Sequence, residues 1–226
     1  MRFSDDLPLM RDLPRVRLPT NEPLVLASGS PRRAQLLSAA GYEFSVQPAS
    51  DRAECGICSG ESAAELVARY AFQKAADVAS HLTHGLVLAA DTVAFCAGNI
   101  IGKPRDRADA ERILTSLSSR RHHVLTGVCL WSCQSGRAIV DVVATELEMQ
   151  PLSDTMLSEY LESGLWEGKA GAFGYQDGND WLSVIGGGSE SNVVGLPMER
   201  LAELLENFDQ LADTVTSGTI DPPLKS

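Results

Sequence analysis

Leu24-Val25-Leu26-Ala27-Ser28-Gly29-Ser30-Pro31-Arg32-Arg33 is the stretch from which the chain is best read. Its first four residues are apolar and read as a short buried strand, and Ala34 to Ala40 carry a compact helical pattern. The junction is therefore a strand-to-helix turn. Gly29 lets the backbone turn sharply or approach a ligand. Ser30 sits at the N-cap position, and Pro31 at the first helical position, where proline is favoured. Free N–H groups at a helix start, the positive end of its dipole and two adjacent guanidinium groups all suit phosphate oxygens. The same residues also suit a plain capped, solvated helix start, so the rest of the chain has to decide between the two readings.

The bulk properties narrow the choice. At 226 residues the chain can form one large domain or two lobes sharing a core. A net charge of -11 argues against a general nucleic-acid surface, which needs a basic footprint. Paired arginines in an acidic chain point instead to a small anionic ligand in a local positive pocket. No apolar run is long enough to span a membrane, and Met1 to Asp6 lacks the basic-then-apolar order of a signal peptide. Five cysteines, an odd number, fit reduced thiols rather than a disulfide framework, and a cytoplasmic location is expected.

Residues 1–22 lack periodicity and read as a poorly ordered arm, residues 23–208 as one domain, and residues 209–226 as a polar tail. Gly41 is a helix stop, followed by a strand over residues 42–46 and a polar loop over 48–62. Ser62 with Glu65 forms a capping box that opens a helix to Ala79. Leu86 to Ala90 is a continuous apolar run, read as a strand buried on both faces that ends on Asp91-Thr92. A hairpin at 98–104 and a helix over 108–118 follow. Next come strands over 122–131 and 138–149 and a helix over 153–163. A glycine-rich stretch over 164–195 includes a strand at 181–185, and a last helix covers 197–208. Strands interleaved with helices, with some strands adjacent in sequence, predict an α/β fold with a mixed twisted sheet and flanking helices.

Asp91 is the leading candidate for a reacting carboxylate, because a charge closing a buried apolar strand is costly without a purpose or partner. Its plainer reading is a turn cap with Thr92. Asp51 and Glu54 add carboxylates that could serve a divalent cation. Lys74, Lys103 and Lys169 are lysines that could reach a phosphate as point charges, the last two flanked by glycine. Cys55-x-x-Cys58 and Cys129-x-x-x-Cys133 invite a zinc reading, but the second pair lies on an expected strand, where its spacing does not give the tight knuckle of a zinc ribbon, and small buried or loop thiols are expected. His122 and His123 belong to no serine-nucleophile pattern.

Taken in order, six motifs resemble the signature of the Maf family. They are Leu-Ala-Ser-Gly-Ser-Pro-Arg-Arg (26–33), Ala-Ala-Asp-Thr (89–92), Gly-Lys-Pro (102–104), His-x-Val-x-Thr-Gly-Val (122–128), Gly-Lys-Ala-Gly-Ala-Phe-Gly-Tyr-Gln (168–176) and Ser-Asn-Val-Val-Gly-Leu-Pro (191–197). The resemblance implies a two-lobed, inosine-triphosphatase-like fold with a central cleft, and nucleoside triphosphate pyrophosphatase activity supported by Mg²⁺ or Mn²⁺. It implies phosphate contacts for Ser28, Ser30, Arg33, Lys74, Lys103 and Lys169, metal contacts for Glu54 and Asp91, and a proton-acceptor role for Asp91. Arg32, Thr92 and Gln176 match the type acting on dTTP and UTP rather than 7-methyl-GTP. The chain departs from the family pattern at Asp177-Gly-Asn-Asp-Trp181 after Gln176, in the length of the Glu54 loop, and at Glu190. A nucleotide-binding regulator of cell division with little hydrolysis, or a pyrophosphatase of the 7-methyl-GTP type, stays open as an alternative, and a homodimer is only the default for such proteins.

Overall fold

The computed structural model describes residues 12–53, 56, 58 and 60–211. Its elements are β1 (Leu24–Leu26), α1 (Pro31–Ala39), β2 (Phe44–Val46), α2 (Ala63–Ala79), β3 (Leu86–Cys96), β4 (Asn99–Ile101), α3 (Arg107–Leu117), β5 (Arg121–Ser132), β6 (Ala138–Met149), α4 (Asp154–Ser163), β7 (Leu182–Val184), α5 (Glu190–Val194) and α6 (Met198–Glu206). The expected mixed α/β sheet is present. Seven strands run in the order β2-β1-β3-β5-β6-β7, with β4 paired to β3 outside that path. The β1–β2 and β1–β3 pairs are parallel, and the others are antiparallel.

Three long strands carry the architecture. β3 has 11 residues, and β5 and β6 have 12 each. At about 3.3 Å per residue they extend roughly 36–40 Å, far enough to serve two lobes. In the first lobe, α1 and α6 bury Leu36, Leu37, Leu201 and Leu205 against Leu26, Leu88 and Leu130, while Ala71, Ala75 and Val78 of α2 cover the opposite face. In the second, Ile113 and Leu114 of α3 join Tyr160, Leu147 and Trp181.

One sequence expectation changes in a way that matters. β3 does not end on Asp91-Thr92 but continues to Cys96. Its register explains why the boundary looked real. Residues 86–88 pair with β1 and residues 94–96 with β4, and between them, among the described strands, β3 pairs with β5 alone. The apolar run stops where that edge opens, not where the strand does. The five-residue α5 was not foreseen, because Glu-Ser-Asn-Val-Val between glycines shows too little periodicity to read.

Residues 13–22, expected to lie in a poorly ordered arm, are docked. Leu13, Val16 and Leu18 pack on the first lobe, and the Val16 N–H donates to the Tyr42 hydroxyl at 3.1 Å. Residues 1–11 of that arm and residues 212–226 of the expected tail lie outside the described residues. Leu211 packs on the first lobe.

Glu22 anchors the docked segment from a fully buried position. Its Oε1 accepts from the N–H groups of Gly85 at 3.0 Å and Gln134 at 2.9 Å, and its Oε2 accepts from the Ser132 hydroxyl at 2.5 Å. Burial pushes the pKa of this carboxyl up, but the bonds from Ser132, Gly85 and Gln134, with the nearby His84, together outweigh it and hold the group below its ordinary 4.5. Folding therefore favours the ionised form. Glu22→Gln, which keeps the shape but not the charge, is expected to cost about 2 kcal/mol and to lower Tm by about 5 °C in thermal unfolding at pH 7. Because the folded pKa is depressed, that difference is complete above the unfolded value of 4.5 and fades as pH falls through the folded one. A pH-independent gap between the two proteins would contradict the assignment.

Candidate active site

Where the edge of β3 is open, both of its faces reach one cleft. Side chains alternate along a strand, so Asp91 and Thr92 point to opposite sides of the sheet, yet both line this cavity of about 680 Å³. Its wall also includes the turn from Ala27 through α1, the loop at Pro48 to Asp51, Lys103, and residues 167–170 and 173–176. Five basic side chains (Arg32, Arg33, Lys74, Lys103 and Lys169) face three carboxylates (Asp51, Asp91 and Glu167), so the cleft is locally basic in an acidic protein.

On the α2 side, the Lys74 ammonium donates to Asp91 Oδ1 at 2.5 Å, with both side chains largely shielded. No described residue hydrogen-bonds the second Asp91 oxygen. The contact depends on a glycine one strand away. Gly127 is the cross-strand partner of Asp91, and a Cβ built there would lie 2.1 Å from the Val67 carbonyl oxygen. Without that atom α2 settles onto the sheet. Lys74 is seven residues beyond Val67, two helical turns along the same side, which brings its ammonium over Asp91. Sequence reading quoted Gly127 only within a motif. Its spacing role has no local signal, since Val67 is sixty positions away.

On the other face Arg33 is a bracket. Its guanidinium is buried and donates from Nε to Gly195 O at 2.7 Å, from Nη1 to Ser28 Oγ at 2.9 Å and from Nη2 to Thr92 Oγ1 at 3.0 Å. The arginine thereby ties together the Ser28 turn, the open edge of β3 and the residue after α5. Ser28 Oγ also accepts from the Ser30 N–H at 3.3 Å, and Thr92 shares a hydrogen bond with Thr126 at 2.9 Å. Ser28, Arg33 and Thr92, all expected at the ligand, are thus largely occupied with one another. Ser30 takes the N-cap position of α1 but makes no side-chain cap, and the helix start lines the cleft.

Arg32 turns the other way and donates from Nη2 to Gly168 O at 3.1 Å, joining α1 to the late glycine segment. Lys169 is buried against Asp177 in that segment, and Lys103 is an exposed side chain at the rim. Gln176 lines the cleft, and its Oε1 is buried with no hydrogen-bond partner among the described residues. The aromatic wall is Phe173, held edge-on to His122 with ring centroids 5.3 Å apart. Burial pushes the His122 pKa down to about 4, so this imidazole is neutral near pH 7 and brings no positive charge behind the cleft. Burial likewise pushes the Cys129 thiol up to about 12, leaving it inert.

Glu54 and Cys55 lie outside the described residues. Asp51, in the same loop, lines the cleft. Ten of the eleven expected site residues are described, and all ten line the one cavity.

The profile of the family described as Maf-like protein matches residues 23–208. A dTTP/UTP pyrophosphatase from Rhodopirellula baltica is 67% identical over 217 residues, covering 94% of this chain and 96% of that protein. A dTTP/UTP pyrophosphatase from Geotalea uraniireducens is 42% identical over 185 residues, covering 82% of this chain and 94% of that protein. Among solved structures, a HAM1 protein from Coxiella burnetii aligns with a TM-score of 0.45 at 17% identity, over 82% of this chain and 99% of that one.

The packing at Gly127 can be tested directly. Gly127→Ala forces α2 outward and is expected to cost about 1–3 kcal/mol in denaturant unfolding. It should also weaken the Lys74–Asp91 pair, so that Lys74→Met costs less when combined with Gly127→Ala than in the wild-type protein. Full additivity of the two substitutions would show that Gly127 does not set this contact.

Proposed function

The chain belongs to the Maf family, and from that premise we propose that it hydrolyses dTTP and UTP to the nucleoside monophosphate and pyrophosphate. The observation that carries the reading is the Lys74-paired Asp91 carboxylate lining a basic cleft. Such a site suits a polyanion held beside a group that can take a proton. The names of the relatives supply the bond cleaved and the bases.

In this reading the start of α1, with Ser30 and Arg32, receives the phosphates, aided by the helix dipole. Lys103 and Lys169 add charge from the opposite wall, where negative charge builds on the departing pyrophosphate. Arg33 and Ser28 shape that cradle. Lys74 keeps one Asp91 oxygen occupied, so the second oxygen accepts the proton of the attacking water.

Base selection fits Gln176. A buried amide oxygen without a partner is costly, and a ligand N–H relieves it. Uracil and thymine carry a donor at N3 where cytosine has an acceptor, so the same oxygen favours the first two and rejects the third. Thr92 acts on selectivity through Arg33, whose fork it helps to fix.

The donor set fits a divalent cation. Among the described residues no group of three metal-ligating side chains occurs, but Mg²⁺ commonly needs only one or two carboxylates and completes its shell with phosphate oxygens and water. Asp91 and Glu54 would hold it, with Asp51 nearby in the same loop as Glu54. When bound, such an ion neutralises phosphate charge and lowers the pKa of a coordinated water. Among the described residues no helix is long and apolar enough to cross a membrane.

Incubation with dTTP, UTP, CTP, GTP and 7-methyl-GTP in the presence of Mg²⁺, with monophosphate and pyrophosphate quantified, is expected to show turnover of the first two above the rest. Release of orthophosphate instead, or preference for 7-methyl-GTP, would overturn the reading. Asp91→Asn should stay folded and lose turnover by about 10²-fold or more. Arg32→Ala should raise KM or flatten base selectivity, and kinetics unchanged for every nucleotide would remove Arg32 from the site.

A further inference from the structure

Behind the cleft wall lies an ion pair that the proposed reaction does not by itself require. Lys169 precedes the turn Ala170–Ala172, and Asp177 closes the turn Tyr175–Asp177. The Lys169 ammonium lies 2.5 Å from both Asp177 oxygens, and the side chains are 9% and 3% exposed. Tyr160 of α4 donates to Asp177 Oδ2 at 2.7 Å and accepts from the Gly174 N–H at 3.2 Å. The pair sits directly over Gly174. A Cβ there would meet the Lys169 nitrogen at 2.4 Å and the carboxylate oxygens at 2.5 and 2.6 Å, so only glycine admits this arrangement.

The pair is one-sided with respect to the cleft. Lys169, Gly174 and Gln176 are among the residues lining it, and Asp177 is not. A buried ion pair is a poor stabiliser, since desolvation of two charges offsets most of their attraction. A cation that must stay in one place beside an anionic ligand is a different matter. Burial and the neighbouring Arg32 charge both push the Lys169 pKa down, and Asp177 opposes them. Arg32 also bonds the carbonyl of Gly168, next to Lys169, and Gln176 precedes Asp177 in the same turn. Two residues expected to select the substrate therefore flank this pair.

We propose that Asp177 is a positioning residue of the triphosphate site, whose carboxylate holds the Lys169 ammonium at the cleft wall between Arg32 and Gln176. The inference rests on the triphosphate reading above. Asp177 touches no substrate itself, and its effect passes through Lys169. Asp177 opens the Asp-Gly-Asn-Asp-Trp run at which the chain departs from the family pattern.

The test uses α,β-imido-dUTP, which resists cleavage at the proposed bond, with Mg²⁺ and isothermal titration calorimetry. At pH 8, Asp177→Asn and Lys169→Met are each expected to weaken binding about tenfold. The double variant should be no weaker than Lys169→Met alone. The charged or titratable groups facing Lys169 are Asp177, Arg32 from α1 and Tyr160 from α4. With Asp177 neutral, the alkaline loss of binding should begin about one pH unit lower than in the wild-type protein. An unchanged alkaline limb, or a double variant weaker than Lys169→Met, overturns the inference. If Asp177→Asn is too unstable to titrate, Lys169→Met against the double variant still decides, because neither buries an unpaired lysine. Pyrophosphate release by the wild-type protein, with Asp177→Asn binding like wild type, would defeat this inference alone. Binding without hydrolysis by the wild-type protein would defeat the reading of function alone, and no binding by the wild-type protein would defeat both.

Discussion

The rest of the structure depends on a sheet edge left open for a few residues. A central strand normally pairs on both sides, since unpaired backbone groups away from water are costly. Here β3 pairs with β1 at one end and with β4 at the other, and between them no strand among the described residues pairs with that edge. The gap lets a ligand reach Asp91 from one face of the sheet and Thr92 from the other. The helix start at Pro31 and the late glycine segment close around it. A site built this way is lined by several elements, and β5 supports the open strand from Leu86 to Phe95.

The charges around that opening show how an acidic protein keeps a basic cleft. Each buried charge described above has its own partner or hydrogen-bonding set. Lys74 meets Asp91, Lys169 meets Asp177, and Arg33 is divided among two hydroxyls and a carbonyl. Such pairing adds little net stability but fixes positions, and fixed positions are what a phosphate site needs. Arg32 and Lys103 are more exposed, and their charge is correspondingly more available to a ligand. The neighbouring arginines at 32 and 33 thus divide their work by which way the helix turns them.

Much of the fold was legible because its signals are local. The capping box at Ser62 and Glu65, the left-handed Gly164 after α4 and the apolar runs in β3 and β5 depend on near neighbours. The end of β3 was misplaced because an opening in the sheet edge and the end of a strand both show up as polar residues after an apolar run. The docking of residues 13–22 was missed because Glu22 looks like any surface acid until Gly85, Ser132 and Gln134 are seen to donate to it. Residues expected at the site were found in one cavity because the motifs carrying them are short and ordered, and each marks an element end or turn.

By itself, the sequence determined that a helix start carrying two arginines follows a buried strand and that the sheet is mixed, and its ordered motifs marked the carboxylate, lysines and arginines as candidates for one site. It could do so because helix starts, strand periodicity and residue chemistry are properties of a few adjacent positions. Only the tertiary structure decided which of those groups brace the others. Arg33 became a bracket because Ser28, Thr92 and Gly195 converge on it. Lys74 met Asp91 because Gly127 lets a helix close on the sheet. Lys169 found Asp177 because Gly174 leaves room for both. Each outcome is a distance between residues brought together by packing, and no single stretch of chain contains it.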